Sequence, residues 1–373
     1  MLLKEFDSLK QVADSWDAVL PKDHHLQSKD LLIFEDSAFE GLKFQYLFIY
    51  SEGKAAPAAV AYFQLVHFQS HNYDAPLFHN PILNFVEQKV MKNGFHIIFC
   101  GNLFRVDAPG IYMNSVVISK TEVMSTLQQY FTSRKKAHAI VLKDWPNSDS
   151  NEMMKEYDFH MWPDDLTMKM ALAPEWKNFE AYAAALKHKY AQRVRKACRK
   201  FQTINITELN LNDLTFYCDQ IEKLFHEVVS RQVIRMIIPG KEYFIQMKKT
   251  QGDKFRIFAF FSNKELIAFS SHIVCDDIWE MHFIGMDYTK NEKYWLYFNL
   301  MYHAVEQAII GRKKWLELGR TARQVKAIMG GMPVYFNSYV RIKGVLVNSL
   351  VKIFAQRFNK KAGKDWLTRN PYK

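Results

Sequence analysis

Hydrophobic and polar positions along the chain follow two alternating rhythms, a period of two in short runs and a period near 3.6 in longer ones, so strands and helices are expected to alternate throughout. In the first half, Phe44 to Ser51 and Ala58 to His67 read as two strands around the turn EGKAAP. Ser119-Lys-Thr-Glu opens an amphipathic helix to about Phe131, and AHAIVLKDW supplies a further strand. The second half repeats this grammar. LFIYSEGKAAPAAVAYFQLV (47–66) and IFAFFSNKELIAFSSHIV (257–274) share an apolar strand, a Lys-containing turn and a second strand in which Ala precedes an aromatic residue. A long helix and a short apolar strand follow each hairpin, at 121–131 and 137–142, then at 294–310 and 314–318. The matching order predicts a duplicated α/β (α+β) domain.

A boundary is expected at Ala173-Pro174, where the strand LTMKMAL ends and Pro174-Glu-Trp opens a helix at its first turn. Phe179, Tyr182, Leu186, Tyr190, Val194, Ala197 and Phe201 give that helix one continuous apolar stripe. Lys189, Arg193, Arg195, Lys196, Arg199 and Lys200 then fall on its remaining surface. The segment Lys187–Phe201 carries seven Lys or Arg residues and no carboxylate, which is a poor arrangement for a merely solvated face and points to an anionic partner. The expected division is 1–173, 174–340, and a basic tail over 341–373. In that tail, Arg341 to Lys361 reads as a basic amphipathic helix, docked on its own domain or lying against anionic lipid.

Composition narrows the class. At 373 residues, 49% hydrophobic and 15% aromatic, the chain is long enough for two filled cores. A net charge of +11 favours anionic partners such as nucleic acid, anionic lipid or a phosphorylated small molecule. Four scattered cysteines without a C-x-x-C fit a reducing cytoplasm, and no signal peptide or run of eighteen apolar residues is present. Phosphate-binding P-loop, dinucleotide, zinc-protease and nucleophile-elbow motifs are absent, and the thirteen histidines are dispersed, so no metal is expected.

Two stretches carry candidate chemistry. In DDIWEMHFIGMD (276–287), period two puts Trp279, Met281 and Phe283 on one face and Glu280 with His282 on the other, where either could accept a proton from an attacking amine or hydroxyl. Its alternative is an edge strand with a wetted face. In KKWLELGRTARQVKAIMGGMPVYFNSYVR (313–341), the strand Trp315–Leu318 ends at Gly319 and Thr321 can cap a short helix. Arg320, Arg323 and Lys326 surround the start of that helix.

This order of a basic helix, a hairpin, an E-x-H strand, a helix and L-x-L-G-R-x5-K-x3-G-G resembles the second domain of FemAB-type proteins, which are tandem folds of the GCN5-related N-acetyltransferase (GNAT) kind. The basic helix is similar to that family's Y-x3-L-x2-K-x5-R-K pattern at Tyr182, Leu186, Lys189, Arg195 and Lys196, and Phe225–Met247 fits its F, R, Y-F spacing around Arg231. The resemblance implies two GNAT-like domains with mixed sheets, the second carrying an acyl- or aminoacyltransferase site for an amine or hydroxyl of a cell-envelope precursor. It implies catalytic roles for Glu280, His282 and Lys326. Donor or substrate contacts would fall to Arg320, Arg323, Lys189, Arg193, Arg195, Lys196, Arg231, Lys290, Lys293 and Tyr339. The donor would be acyl-coenzyme A (acetyl-CoA) or aminoacyl-tRNA, and the acceptor an anionic small molecule or lipid-linked substrate met in the cytoplasm or at the inner membrane face. The family's glycine-bearing pyrophosphate loop is replaced by MDYTKNEKYW (286–295), which has no glycine. A non-catalytic RNA- or tRNA-binding module and a degenerate enzyme are the competing expectations.

Overall fold

The computed structural model describes residues 2–74, 94–145, 151–162, 165–344 and 369–373, together with residues 81, 84, 85, 88, 92 and 348. The strands are β1 (Leu2–Phe6), β2 (Leu42–Tyr50), β3 (Ala59–Phe68), β4 (Phe95–Cys100), β5 (Ile111–Met113), β6 (Ala139–Leu142), β7 (His160–Trp162), β8 (Leu166–Ala171), β9 (Asn205–Glu208), β10 (Phe255–Ser262), β11 (Glu265–Val274), β12 (Ile278–Met286), β13 (Trp315–Glu317), β14 (Met332–Tyr335) and β15 (Ser338–Ile342). The helices used below are α1 (Lys120–Ser133), α2 (His188–Phe201), α3 (Leu211–Val229), α4 (Lys241–Gln251), α5 (Tyr288–Tyr294), α6 (Leu296–Ile310) and α7 (Arg323–Ile328).

Two compact units emerge, and neither is continuous in sequence. The first comprises residues 1–165, 233–239 and 336–362; the second comprises 166–232, 240–335 and 363–373. The first sheet runs β1-β2-β3-β4-β6-β15-β7, with β5 also on β3, and the second runs β9-β10-β11-β12-β13-β8-β14. Position by position these are one blueprint. In each, a single parallel pair, β4 with β6 or β12 with β13, interrupts an otherwise antiparallel sheet. The chain must cross over twice to build them, because β8 belongs to the second sheet and β15 to the first. A division at residue 173 would leave β8 in the wrong unit, and one at 340 would cut through β15.

In the first unit, α1 opens at Ser119, whose hydroxyl accepts from Glu122 N while the Glu122 side chain returns to Ser119 N, a reciprocal cap. Its apolar face, Val123, Leu127, Tyr130 and Phe131, packs on Ile98, Phe63 and Leu142. On the other side of the sheet, Trp16 and Leu31 cover Tyr46, Phe48 and Tyr62.

In the second unit, α2 and α6 bury Val194, Ala197, Leu300 and Ala304 against Phe258, Trp279, Met281 and Leu316. The opposite face receives α3 and α4, where Phe225 and Phe244 meet Phe283 edge-on or tilted. The approach of α3 is close at Gly285: a Cβ there would lie 2.7 Å from the backbone of both Leu224 and Phe225. A glycine is therefore required at that point of β12.

Three expected elements differ. The helix expected from Pro174 through Phe201 is two helices, Phe179–Ala185, capped by the Asn178 side chain, and α2, with an extended break at Leu186-Lys187. The break is where the chain end docks: Leu186 bridges Tyr372 and Lys187 N donates to Pro371 O at 2.8 Å. The long helix expected from Tyr294 is interrupted at Trp295, whose left-handed φ of 50° separates α5 from α6. In the expected tail helix, Arg341 and Ile342 instead belong to strand β15, and most of the remainder lies outside the described residues.

Candidate active site

The site is built where two strands part. β12 and β13 pair in parallel at Ile278 with Trp315, Trp279 with Leu316 and Glu280 with Glu317, and there the pairing stops. Beyond it β12 runs on to Met286. The chain after Glu317 stays instead with β8, through Leu318 N to Met168 O at 2.8 Å and Met168 N to Gly319 O at 3.1 Å. The result is a wedge in the second sheet with Glu280 and Glu317 side by side at its root. Both are buried.

Glu317 was not singled out by sequence, yet it is buried and held by two hydrogen bonds. Its Oε1 accepts from Gly319 N at 2.7 Å and from the Thr167 hydroxyl. Burial pushes its pKa up to about 7, and the neighbouring Glu280 adds to the rise, against the pull of Thr167, the Gly319 amide and Lys169. Two like charges in one buried place make one of them reluctant to ionise.

Lys326, on α7, is also buried and donates from Nζ to Gly319 O at 3.1 Å. Burial lowers its pKa to about 7; Glu317 opposes the fall and Arg323 deepens it. The turn that brings Lys326 and Glu317 onto the same residue depends on Gly319, at φ 83°. A carboxylic acid and an amine of opposite ordinary pKa thus converge on the neutral range, the condition in which a proton can be taken and returned near pH 7.

His282 stands on the α4 side of β12. Its Nε2 is 2.8 Å from the Tyr243 hydroxyl, and its Nδ1 is 4.0 Å from Glu280 Oε1. Glu280 and His282 therefore do come together, as period two predicts. Phe283 does not stay with Trp279 and Met281. A bulge after Met281, where Phe283 N donates to Ser271 Oγ at 3.1 Å, turns it to the Tyr243 and Phe225 side.

The other expected residues divide by location. Arg320 and Arg323 are half-buried beside Lys326, with Arg323 Nε donating to Arg320 O at 3.4 Å. The six-residue α7 begins after Ala322, in left-handed conformation, and Thr321 does not cap it. Lys189, Arg195 and Lys196 are exposed on α2 and have no carboxylate partner among the described residues. Arg193 lies 5.8 Å from the Phe298 ring, and Lys196 and Lys200 lie 4.8 and 5.5 Å from Trp295, so this basic face meets the junction of α5 and α6. Arg231 stacks 3.8 Å over Tyr288. Lys293 lies 4.7 Å over the Tyr294 ring. Tyr339 is elsewhere. It is buried in β15 of the first unit, its hydroxyl donating to Asn151 at 2.7 Å, because β15 crosses out of the half in which its sequence position would place it.

The segment in place of a pyrophosphate loop departs from a glycine-bearing phosphate turn. It is folded into α5, and Lys290 is paired with Glu265 and, at 3.4 Å, with Asp287. At the start of α6, the Tyr297 amide is taken by Asn291 Oδ1 at 3.1 Å. One cation and one amide of this segment, Lys290 and Tyr297 N, are thus engaged within the protein. Among the described residues, no group of three or more His, Cys, Asp or Glu is placed to hold a metal ion, and no helix is long and apolar enough to cross a membrane.

By sequence the chain matches no protein-family model and no curated protein. By fold it is similar to FemX, with a TM-score of 0.50 and 10% identity over 94% of this chain and 100% of that one. It is also similar to a tandem GNAT protein from the clavulanic acid biosynthesis pathway, solved without acetyl-coenzyme A, with a TM-score of 0.52 and 8% identity over 92% of this chain and 99% of that one. The chain has the tandem GNAT-like fold that its sequence resemblance implies.

Proposed function

We propose, from this fold and the carboxylates at the root of its second wedge, that the second unit transfers an acyl or aminoacyl group to an amine or hydroxyl, with a cell-envelope precursor as the acceptor. The observation that carries the reading is Glu317, held beside Glu280 and Lys326 where β12 and β13 separate. The acceptor's nitrogen or oxygen attacks the acyl carbonyl carbon and its proton passes to Glu317. Lys326, when charged, faces the negative charge that develops on the carbonyl oxygen. As the carbonyl re-forms, the bond to the leaving group breaks and the proton on Glu317 passes to that leaving atom. Glu280 keeps Glu317 basic by like-charge repulsion, while the Tyr243–His282 contact orients the imidazole beside Glu280. Positioned proton transfer of this kind contributes about 10² to 10⁴ in rate.

The donor reading rests on α2. Its cations, of which Lys189, Arg195 and Lys196 have no carboxylate partner among the described residues, lie over Trp295 and Phe298 and suit a polyphosphate chain better than the α5–α6 segment, with Lys290 engaged, suits coenzyme A. Aminoacyl-tRNA is therefore the proposed donor. Native mass spectrometry of the full chain with charged tRNA and with acetyl-CoA tests it: charged tRNA is expected to be retained, less so after Arg195→Glu/Lys196→Glu, and to lose its aminoacyl group when envelope precursor is added. Retention of acetyl-CoA alone would overturn the donor, and tRNA retained but never discharged would make the protein a binding module.

A further inference from the structure

The first unit carries a cavity that the proposed transfer does not use. α1 ends at Ser133, but the sheet face it covers continues past that end. On the next row, His67 of β3 is the register partner of His96 of β4, and His138 precedes β6 on the same line, so three imidazoles lie side by side. Their rings are nearly parallel, with centroids 4.4 Å apart for His67 and His96 and 5.7 Å for His96 and His138. One row nearer α1, Leu65 and Ile98 form an apolar floor. Above them opens a cavity of about 830 Å³, a size suited to a small-molecule ligand.

Its chemistry is one-sided. No carboxylate lines it, while Lys43, Lys135 and Lys136 stand exposed at its rim with no ion-pair partner among the described residues. Arg134 is committed to Glu5. His67 Nε2 is shut against Gly94, where a Cβ would lie 2.1 Å from it, and has no hydrogen-bond partner. The His138 Nδ1 accepts from His96 N at 3.0 Å, which fixes that ring in place. The exposed ammonium groups and the imidazole row give this cavity a positive potential, and the half-buried Leu65 gives it an apolar surface; an amphipathic anion matches both.

We propose that this cavity binds a single-chain amphipathic anion, with its aliphatic body on the Leu65–Ile98 floor and a carboxylate or phosphate head among His67, His96 and the rim lysines. The neighbours that shift His96 and His138 are basic. His96 is held below the ordinary histidine range by burial and then by His67, His138 and Lys136, and His138 by burial and then Lys343. A bound anion reverses the sign of that environment, so the ring takes up a proton on binding and affinity rises as pH falls from 8 to 6.

The test is fluorescence titration of the full chain with cis-parinaric acid, followed by displacement with oleate, oleoyl lysophosphatidate, inorganic phosphate and uncharged monoolein. Saturable binding is expected, stronger at pH 6 than at pH 8. Displacement by oleate assigns the head as carboxylate, and displacement by lysophosphatidate assigns it as phosphate. Lys43→Glu/Lys136→Glu changes only exposed side chains and should weaken binding about tenfold, or roughly 1.4 kcal/mol, with melting unchanged. Leu65→Trp should abolish binding by filling the floor. The proposal is overturned by absence of saturable binding, by equal displacement with monoolein or inorganic phosphate, or by undiminished binding in both variants.

Discussion

Glu317 lies between two leucines that point into the core, and this is why it was hard to find. In W-L-E-L-G, period two sends Leu316 and Leu318 inward and puts Glu317 on what reads as a solvent-facing side. Only the neighbouring strand reveals that side as the root of a wedge shared with Glu280. Glu280 and His282 stand out in the sequence by strand alternation and Lys326 by its place in the basic helix after Gly319, whereas Glu317 needed a non-local partner to acquire meaning. Its burial has a thermodynamic consequence. A carboxyl raised from 4.5 to about 7 in the folded protein gives stability that is complete below 4.5 and lost as pH rises through 7. Glu317→Gln keeps an oxygen for Gly319 N and removes the ionisation. Thermal melts should show this variant more stable than the parent at pH 8, by on the order of 1 to 3 kcal/mol, and little changed at pH 4. A variant destabilised at pH 8 would mean that the ionised form is needed for folding.

Among elements, β2, β3, β6 and α1 follow their local pattern closely, because each is dictated by its own periodicity and, for α1, by its own cap. The elements that depart do so for reasons located elsewhere in the chain. Nothing local marks the break at Leu186-Lys187, which serves residues 371 and 372 from the far end of the sequence. The G-G pair at 330 and 331 belongs to the same arrangement: a Cβ on Gly330 would lie 1.8 Å from the Tyr372 hydroxyl. In β12, the bulge that redirects Phe283 is likewise invisible to a strict alternation. Gly285 gives the sharpest test at this scale. Gly285→Ala must push α3 off the sheet, and denaturant unfolding should record a loss of about 3 kcal/mol. A loss below 0.5 kcal/mol would show that α3 is not seated on β12 as described.

At the scale of the whole molecule, the duplication was readable from two similar hairpins followed by the same two elements, and the two sheets share one strand order. The exchange of β8 and β15 was not readable. Both are short strands, and each is placed by pairing across a long separation, β8 on β13 and β15 on β6. Acid should reveal the buried histidines of the second unit. His272 is held well below the ordinary range by burial, and His303, with an unpartnered Nδ1, is lowered to about 4. Such groups leave stability intact above 6.5 and erode it as pH falls toward 4, and His303→Phe should flatten that decline in melts taken between pH 7 and 4. The central claim, that the second unit is a transferase working through Glu317, is tested most directly by the pH–rate profile of aminoacyl transfer at saturating donor. The parent should show an ascending limb centred near pH 7, and Glu317→Gln should lose that limb and at least about 100-fold in rate while retaining charged tRNA. A Glu317→Gln protein with the parent's rate and the parent's profile would contradict it.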